Sequence, residues 1–311
     1  MPSPPDPLFA LAASQHGVIG RGQAIDLGAT SWSIDRAVHR GRLVVAHRGV
    51  YRVPGAPVTW RGKLSAACLA TDGVASHRSA ATLLDVRSIP VGRPELTTSR
   101  RQVRPASDLR VHRSVDLHRA EPRMVDGIPT TSAARLAVDL GAVLPESRVE
   151  SAIHELIAHR GLTWDEVAVA VLRHSRRGRN GVGLARRIVE RRHDGLVGDS
   201  VFESVLLALL ADAELPAPAL QVEIWIDGAF VARVDVAWPD RGVIIEADSV
   251  LHHLATAAFQ ADKHKRNLLR LHGWLIHEVT WKMCLDQRPL VERQIRALLE
   301  SRPPGCFPGV L

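Results

Sequence analysis

The sequence predicts an α/β (α+β) multidomain chain, and three observations lead there. Apolar residues recur at helical spacing in some segments and at strand spacing in others, switching several times along the chain. At 311 residues the chain exceeds one ordinary domain, so two or three cores are expected. The charge is also divided: residues 1–200 hold 29 Lys+Arg against 19 Asp+Glu, and residues 201–311 hold 11 against 14. With 46% apolar and 23% charged residues the composition is that of a globular protein with a packed core.

Residues 1–56 read as the first domain. Leu8, Leu11 and Ala12 give one apolar helix face, and Gln23 to Leu27 a second short helix. Gly28-Ala29-Thr30 makes the turn, and Ser31 is the expected N-cap of a third helix with Ile34, Ala37 and Val38 at helical spacing. Two strands follow around His47-Arg48-Gly49, ending at Pro54-Gly55. Three helices plus a basic hairpin is the layout of a winged helix, whose third helix enters the major groove of DNA. Ser33, Arg36, His39 and Arg40 on that helix, and Arg48 on the wing, are the expected DNA contacts.

Residues 57–150 read as a mixed middle domain. Leu64 to Leu84 is expected as helix, Glu95–Thr98 and Leu109–His112 as strands, and Thr131–Leu140 as an amphipathic helix. His77 and His112 read as surface or capping residues, because no catalytic or metal-ligand spacing surrounds them. Residues 151–198 are expected to form a helical and basic linker, in which Arg173 to Arg192 serves as solvated tether or phosphate-contacting strap.

From residue 199 to 303 the expected order is helix, three strands, helix, strand, helix: an αβββαβα core. Phe202–Leu210 carries one acid, Glu203. Gln221–Ile226 and Phe230–Ala237 flank Asp227-Gly228, a hairpin-type turn, and Arg241-Gly242 leads into Val243–Ala247. A helix over about Thr256–Leu271, a strand after Gly273 and a helix over Leu290–Leu299 complete the series. Asp235 lies between two valines, and Glu246 follows Val243-Ile244-Ile245. A carboxylate in such a setting is costly unless it is paired or coordinates a metal. Asp235, Glu246 and Asp248, with Glu203 approaching from the helix, are hard oxygen donors suited to Mg²⁺ or Mn²⁺. Such an ion activates water and offsets charge developing on a phosphate. His253, Lys263 and Lys265 are placed to orient that water or stabilise the transition state, and Lys263 and Arg266 to contact DNA.

Residues 199–300 resemble the Vsr-like (very-short-patch-repair-like) endonuclease domains of the PD-(D/E)xK superfamily. The resemblance rests on Glu203, on Arg-Val-Asp-Val-Ala-Trp-Pro at 233–239 and on Ile-Glu-Ala-Asp at 245–248. His253, Phe259, Asp262 and Gly273-Trp274 continue it. The front half resembles the AbiEi-type antitoxin winged helix and the domain that commonly follows it, through residues 10–55, Ser76–Leu84 and Thr130–Leu140. The resemblance implies a restriction-endonuclease-like core in which Asp235, Glu246 and Glu203 are metal-binding or catalytic and His253 lies beside the scissile phosphate. Asp248 stands where the wider superfamily has the lysine of E-x-K, and Ser249 where Vsr-like relatives have glycine. That departure makes metal binding a firmer expectation than cleavage.

The basic front two thirds points to a polyanionic partner, double-stranded DNA. A single Tyr and five Phe give no stacking platform for single-stranded RNA. Cys68, Cys284 and Cys306 match no zinc or redox spacing. The opening Met-Pro-Ser-Pro-Pro-Asp-Pro has no signal-peptide pattern, and no apolar run approaches the roughly 20 residues that span a bilayer, so a cytoplasmic location is expected. The leading expectation is a Mg²⁺-dependent DNA endonuclease positioned by its winged helix. The alternative is a non-catalytic, antitoxin-like DNA-binding transcriptional regulator that keeps the nuclease fold as scaffold. A toxin–antitoxin or defence-system partner accompanies either.

Overall fold

Side-chain caps start α-helices in both halves of the chain, and buried ion pairs hold several elements against one another. The computed structural model describes residues 7–101, 108–117, 122–176, 178–192, 199–247 and 256–307. The chain divides into two units, Met1–Leu162 and Thr163–Leu311. The α+β multidomain organisation read from the sequence is observed in both.

The first unit opens with α1 (Pro7–Ser14), β1 (Val18–Gly20), α2 (Arg21–Asp26), α3 (Ser31–His39), β2 (Val44–His47) and β3 (Val50–Arg52). The strands form an antiparallel sheet in the order β1-β3-β2, with β1 inserted between the first two helices. Ala12, Ile19, Ala24, Ile34, Leu43 and Tyr51 close its core. Helix α3 starts one residue earlier than expected. Thr30, not Ser31, is the N-cap, and its hydroxyl accepts from Ser33 N at 3.1 Å while Ser33 Oγ accepts from Thr30 N at 3.0 Å. The three residues of β1 are too few to show a period, which is why the sequence pattern missed them.

The middle of this unit departs further. The single helix expected over 64–84 is two, α4 (Trp60–Thr71) and α5 (His77–Leu83), separated by β4 (Val74–Ala75). Asp72 ends α4 in the left-handed region at φ 50°. A side chain at Gly73 would meet Leu96 Cδ1 and Thr97 O at 2.9 Å each, so only glycine lets the chain enter the sheet there. Then come β5 (Glu95–Thr98), β6 (Arg110–Arg113), β7 (Arg123–Val125), β8 (Ile128–Thr130), α6 (Ala133–Leu140) and α7 (Glu146–Arg160). The sheet order is β6-β5-β4-β8-β7, with β5–β6 and β4–β8 parallel. Leu64, Cys68, Leu83, Leu96 and Ile128 pack on it. The amphipathic helix expected over 131–140 is buried almost all round, including Arg135 at 1% and Asp139 at 0% exposure. Arg135 Nε donates to Asp139 Oδ1 at 2.8 Å, Nη2 donates to Ser114 Oγ at 3.2 Å, and Nη1 lies 3.6 Å from Asp116 Oδ1.

In the second unit the residues expected as a helical and basic linker hold α8 (Trp164–His174) and α9 (Val182–Arg192), while α7 covers their start in the first unit. Thr163 and Glu166 form the capping box that starts α8. Next come α10 (Asp199–Asp212), β9 (Ala219–Ile226), β10 (Ala229–Trp238), β11 (Val243–Ala247), α11 (Thr256–Leu271), β12 (Leu275–Val279), α12 (Trp281–Asp286) and α13 (Arg288–Ser301). The expected helix, three strands, helix, strand and helix are all present, with α12 added before the last. Asp227 and Gly228 both take positive φ, 50° and 77°, as a tight hairpin turn requires. Sheet order is β12-β11-β10-β9, antiparallel except for the parallel β11–β12 pair. Among the described residues no helix is long and apolar enough to cross a membrane.

Arg135→Ala leaves Asp116 and Asp139 buried without their guanidinium and is expected to lower the unfolding free energy by about 3–5 kcal/mol in urea titration. Gly127→Ala is expected to destabilise more than its backbone angle alone would. Gly127 sits at φ 71°, and a Cβ there would come within 2.0 Å of Ser14 O.

Candidate functional site

The outward face of α3 is the first candidate surface. Ile34 turns inward, and Trp32, Ser33, Arg36, His39 and Arg40 are exposed. Helical spacing places Ser33, Arg36 and Arg40 on one stripe. Arg36 lies over the Trp32 ring, 4.9 Å from its centroid, and Trp32 is 67% exposed. Ser33 is committed to the helix cap through both its backbone and its hydroxyl. Arg21 ties α2 to α3 by donating to Asp35 Oδ1 at 2.7 Å, and also to the Tyr51 hydroxyl at 2.8 Å. That hydrogen bond holds the Asp35 carboxyl below its ordinary range. Arg48 is exposed at the β2–β3 turn. The expected helix residues and the wing arginine therefore belong to one small domain and face solvent.

The second candidate is a row of polar residues across the four-stranded sheet. Val236 pairs with Ile245, so Asp235 and Glu246 stand one position further along the same antiparallel pair. Glu246 pairs with Glu278 on β12. On the other side Gln221 Nε2 donates to Asp235 Oδ1 at 2.9 Å. Cross-strand neighbours of this kind lie close together on one face. Helix α11 meets that face with Arg266, whose Nε is 2.8 Å from Glu246 Oε2 and whose Nη1 donates to Glu278 Oε1 at 2.6 Å. Arg266, expected at DNA, is here the counter-charge of two acids. A cation bound by Glu246 must displace it or share the carboxylate with it. Glu203 is half-buried on α10, which packs against β11, and Lys263 is exposed on α11. Asp248 and His253 lie outside the described residues.

A third cluster was invisible in the sequence. His77 and His112, expected at the surface or as caps, stack with ring centroids 3.5 Å apart and planes 13° from parallel. His77 is 2% exposed and the His112 side chain 23%. Beside them lies the Glu95 carboxylate, 3% exposed, whose Oε2 is 3.5 Å from His112 Nε2. Its Oε1 accepts from Arg78 Nη1 at 3.0 Å and lies 3.5 Å from Arg110 Nη1. Burial alone raises the Glu95 carboxyl, but the neighbouring His112, His77 and Arg78 outweigh it, so its pKa falls to about 2. One donor atom from each of His77, Glu95 and His112 lies within 4.8 Å of the others, the one such group among the described residues. The three come from α5, β5 and β6, residues 35 positions apart, so no local motif announces them.

Against known proteins, residues 6–54 match the family model described as a transcriptional regulator, AbiEi antitoxin. The chain is also 31% identical over 175 residues to the uncharacterised protein MT2308 of Mycobacterium tuberculosis strain CDC 1551 / Oshkosh. The same identity and span hold for the uncharacterised protein Rv2248 of Mycobacterium tuberculosis strain ATCC 25618 / H37Rv. Each match covers 56% of this chain and 62% of the relative's length. Residues 6–54 are thus AbiEi antitoxin-like.

The two uses of Glu246 differ in the sign of a stability change. As a partner of Arg266, Glu246→Gln is expected to lower the unfolding free energy by roughly 1–2 kcal/mol in metal-free buffer. Equilibrium urea unfolding checks this, and a rise in stability would instead mark carboxylates that repel one another until a cation arrives.

Proposed function

We propose that this chain is a DNA-binding transcriptional regulator of the AbiEi antitoxin type, and that its C-terminal unit serves as a scaffold or partner surface. The observation that carries this is the exposed Arg36, His39 and Arg40 face of α3 beside the Arg48 wing, within the residues that match the antitoxin regulator model. An exposed basic helix that shares one small core with a two-stranded wing is suited to the major groove, with the wing on flanking phosphate. Trp32 under Arg36 stiffens the arginine, which lowers the entropy lost on contact. A toxin partner, as the antitoxin resemblance implies, is part of the proposal.

The endonuclease reading is kept second, supported by the cross-strand placement of Asp235 and Glu246 and by the αβββαβα order. In it Mg²⁺ or Mn²⁺ is held by Asp235, Glu246 and Asp248. Arg266 on Glu246 weighs against it, because the carboxylate already has its counter-charge.

Binding to a duplex enriched from a random pool, followed by fluorescence anisotropy across a salt series, tests the first reading. Arg36→Ala and Arg40→Ala are each expected to weaken binding and to reduce the log–log salt slope by about 1 for a lost phosphate contact. Binding that is insensitive to both substitutions would overturn it. Supercoiled plasmid with Mg²⁺ or Mn²⁺ is expected to stay intact. Nicking that disappears in Asp235→Ala would move the assignment to the endonuclease.

A further inference from the structure

We propose that His77, Glu95 and His112 form a binding site for one zinc-class divalent ion in the first unit, separate from the acidic row and from the α3 face. Two imidazoles and a carboxylate are a donor set that binds Zn²⁺ with a fourth position left for water. Imidazole nitrogen selects Zn²⁺, Co²⁺, Ni²⁺ or Cu²⁺ over Mg²⁺ and Ca²⁺, which prefer oxygen.

The surroundings are those of an oriented ligand set. Ser76 Oγ lies 2.8 Å from His77 Nδ1, and Thr97 Oγ1 donates to Ser76 Oγ at 2.8 Å. A hydroxyl hydrogen-bonded to one ring nitrogen fixes the orientation of the imidazole, as partners behind metal-bound histidines do. Arg78 and Arg110 engage Oε1 of Glu95, and Oε2 is the oxygen facing His112. The carboxylate is thereby held ionised and correctly turned. The two guanidiniums also add positive charge, so the partly covalent imidazole bonds must carry the affinity, and a hydroxide or other anion suits the fourth position.

Two features of the backbone favour the site. His77 holds φ 50° at the first residue of α5, a left-handed conformation that a non-glycine residue keeps only when its surroundings require it. The His77 ring stacks on that of His112. Strand β6 is at the edge of its sheet, and His112 is the least buried of the three, so its side chain has room to move. Donors bonded to zinc at tetrahedral angles sit about 3.3 Å apart. Binding closes the present spread of up to 4.8 Å to that distance and requires the less buried His112 ring to swing out of its stack on His77, because an ion lies in the plane of each imidazole that ligates it. The ion would then link α5, β5 and β6.

Untagged full-length protein, stripped with chelator and titrated with Zn²⁺ by calorimetry, is expected to bind one equivalent with a rise in Tm, and Mg²⁺ is expected to do neither. His112→Ala should abolish that equivalent and the Tm shift while keeping the far-UV circular dichroism of the wild type. The exposed control His264→Ala should retain both. Co²⁺ in the wild type should give the intense visible bands of a four- or five-coordinate ion, a readout that needs no variant to fold. The weak spectrum of a six-coordinate aqueous ion, absence of a saturable equivalent, or Zn²⁺ binding unchanged in folded His112→Ala would each overturn the site.

Discussion

Glu95, Arg135 and Glu246 are charges placed where water is scarce, and each is held by an opposite charge. Leaving one of them unpaired would cost several kcal/mol, a large part of the stability of an ordinary domain. The pairing therefore dictates which elements must meet. Glu95 draws Arg78 of α5 and Arg110 and His112 of β6 onto β5. Arg135 fastens α6 to the segment after β6 through Ser114 and Asp116. Arg266 fastens α11 to β11 and β12 at once. Hydrophobic burial supplies the bulk of the driving force, but it is non-directional, and these contacts select one arrangement among many that would bury similar area.

The acidic row shows how one sequence feature has two physical solutions. A carboxylate within an apolar strand is satisfied by a metal ion or by protein donors, here the Gln221 amide for Asp235 and the Arg266 guanidinium for Glu246. Asp235 and Glu246 lie on neighbouring strands, as the spacing of residues 233–248 indicates. Their partners, Gln221 and Arg266, come from β9 and α11, 14 and 20 positions away in the chain. Only the register of the sheet brings Glu278 into the same row. Arg266, on a polar helix, lies between two acids that β11 and β12 contribute.

The N-terminal domain was legible because its information is local. Cap residues, a glycine turn and helical spacing over residues 8–53 specify three helices and a wing without reference to distant residues. The one-residue error at Thr30 arose because Thr30 and Ser31 are both good caps, and the choice depends on which hydroxyl reaches Ser33 N. The order αβββαβα was legible for the same reason, with Asp227-Gly228 and Arg241-Gly242 marking the turns. The helix expected over 64–84 failed at Gly73, where a two-residue strand is set by pairing with β5 and β8 and leaves no periodic trace.

By itself, then, the sequence determined the α+β class, the three helices and wing, the order of the C-terminal elements and the presence of acids that need a counter-charge. These depend on nearest neighbours, on periodicity and on composition, all of which are carried along the chain. Tertiary structure alone decided that Arg266 answers Glu246, that Arg135 is buried between two carboxylates, and that His77 and His112 stack beside Glu95. Apart from the Arg135–Asp139 pair, which is one helical turn within α6, each of those contacts joins side chains from separate segments, and their meeting is a property of sheet order and helix packing, which no local stretch of residues encodes.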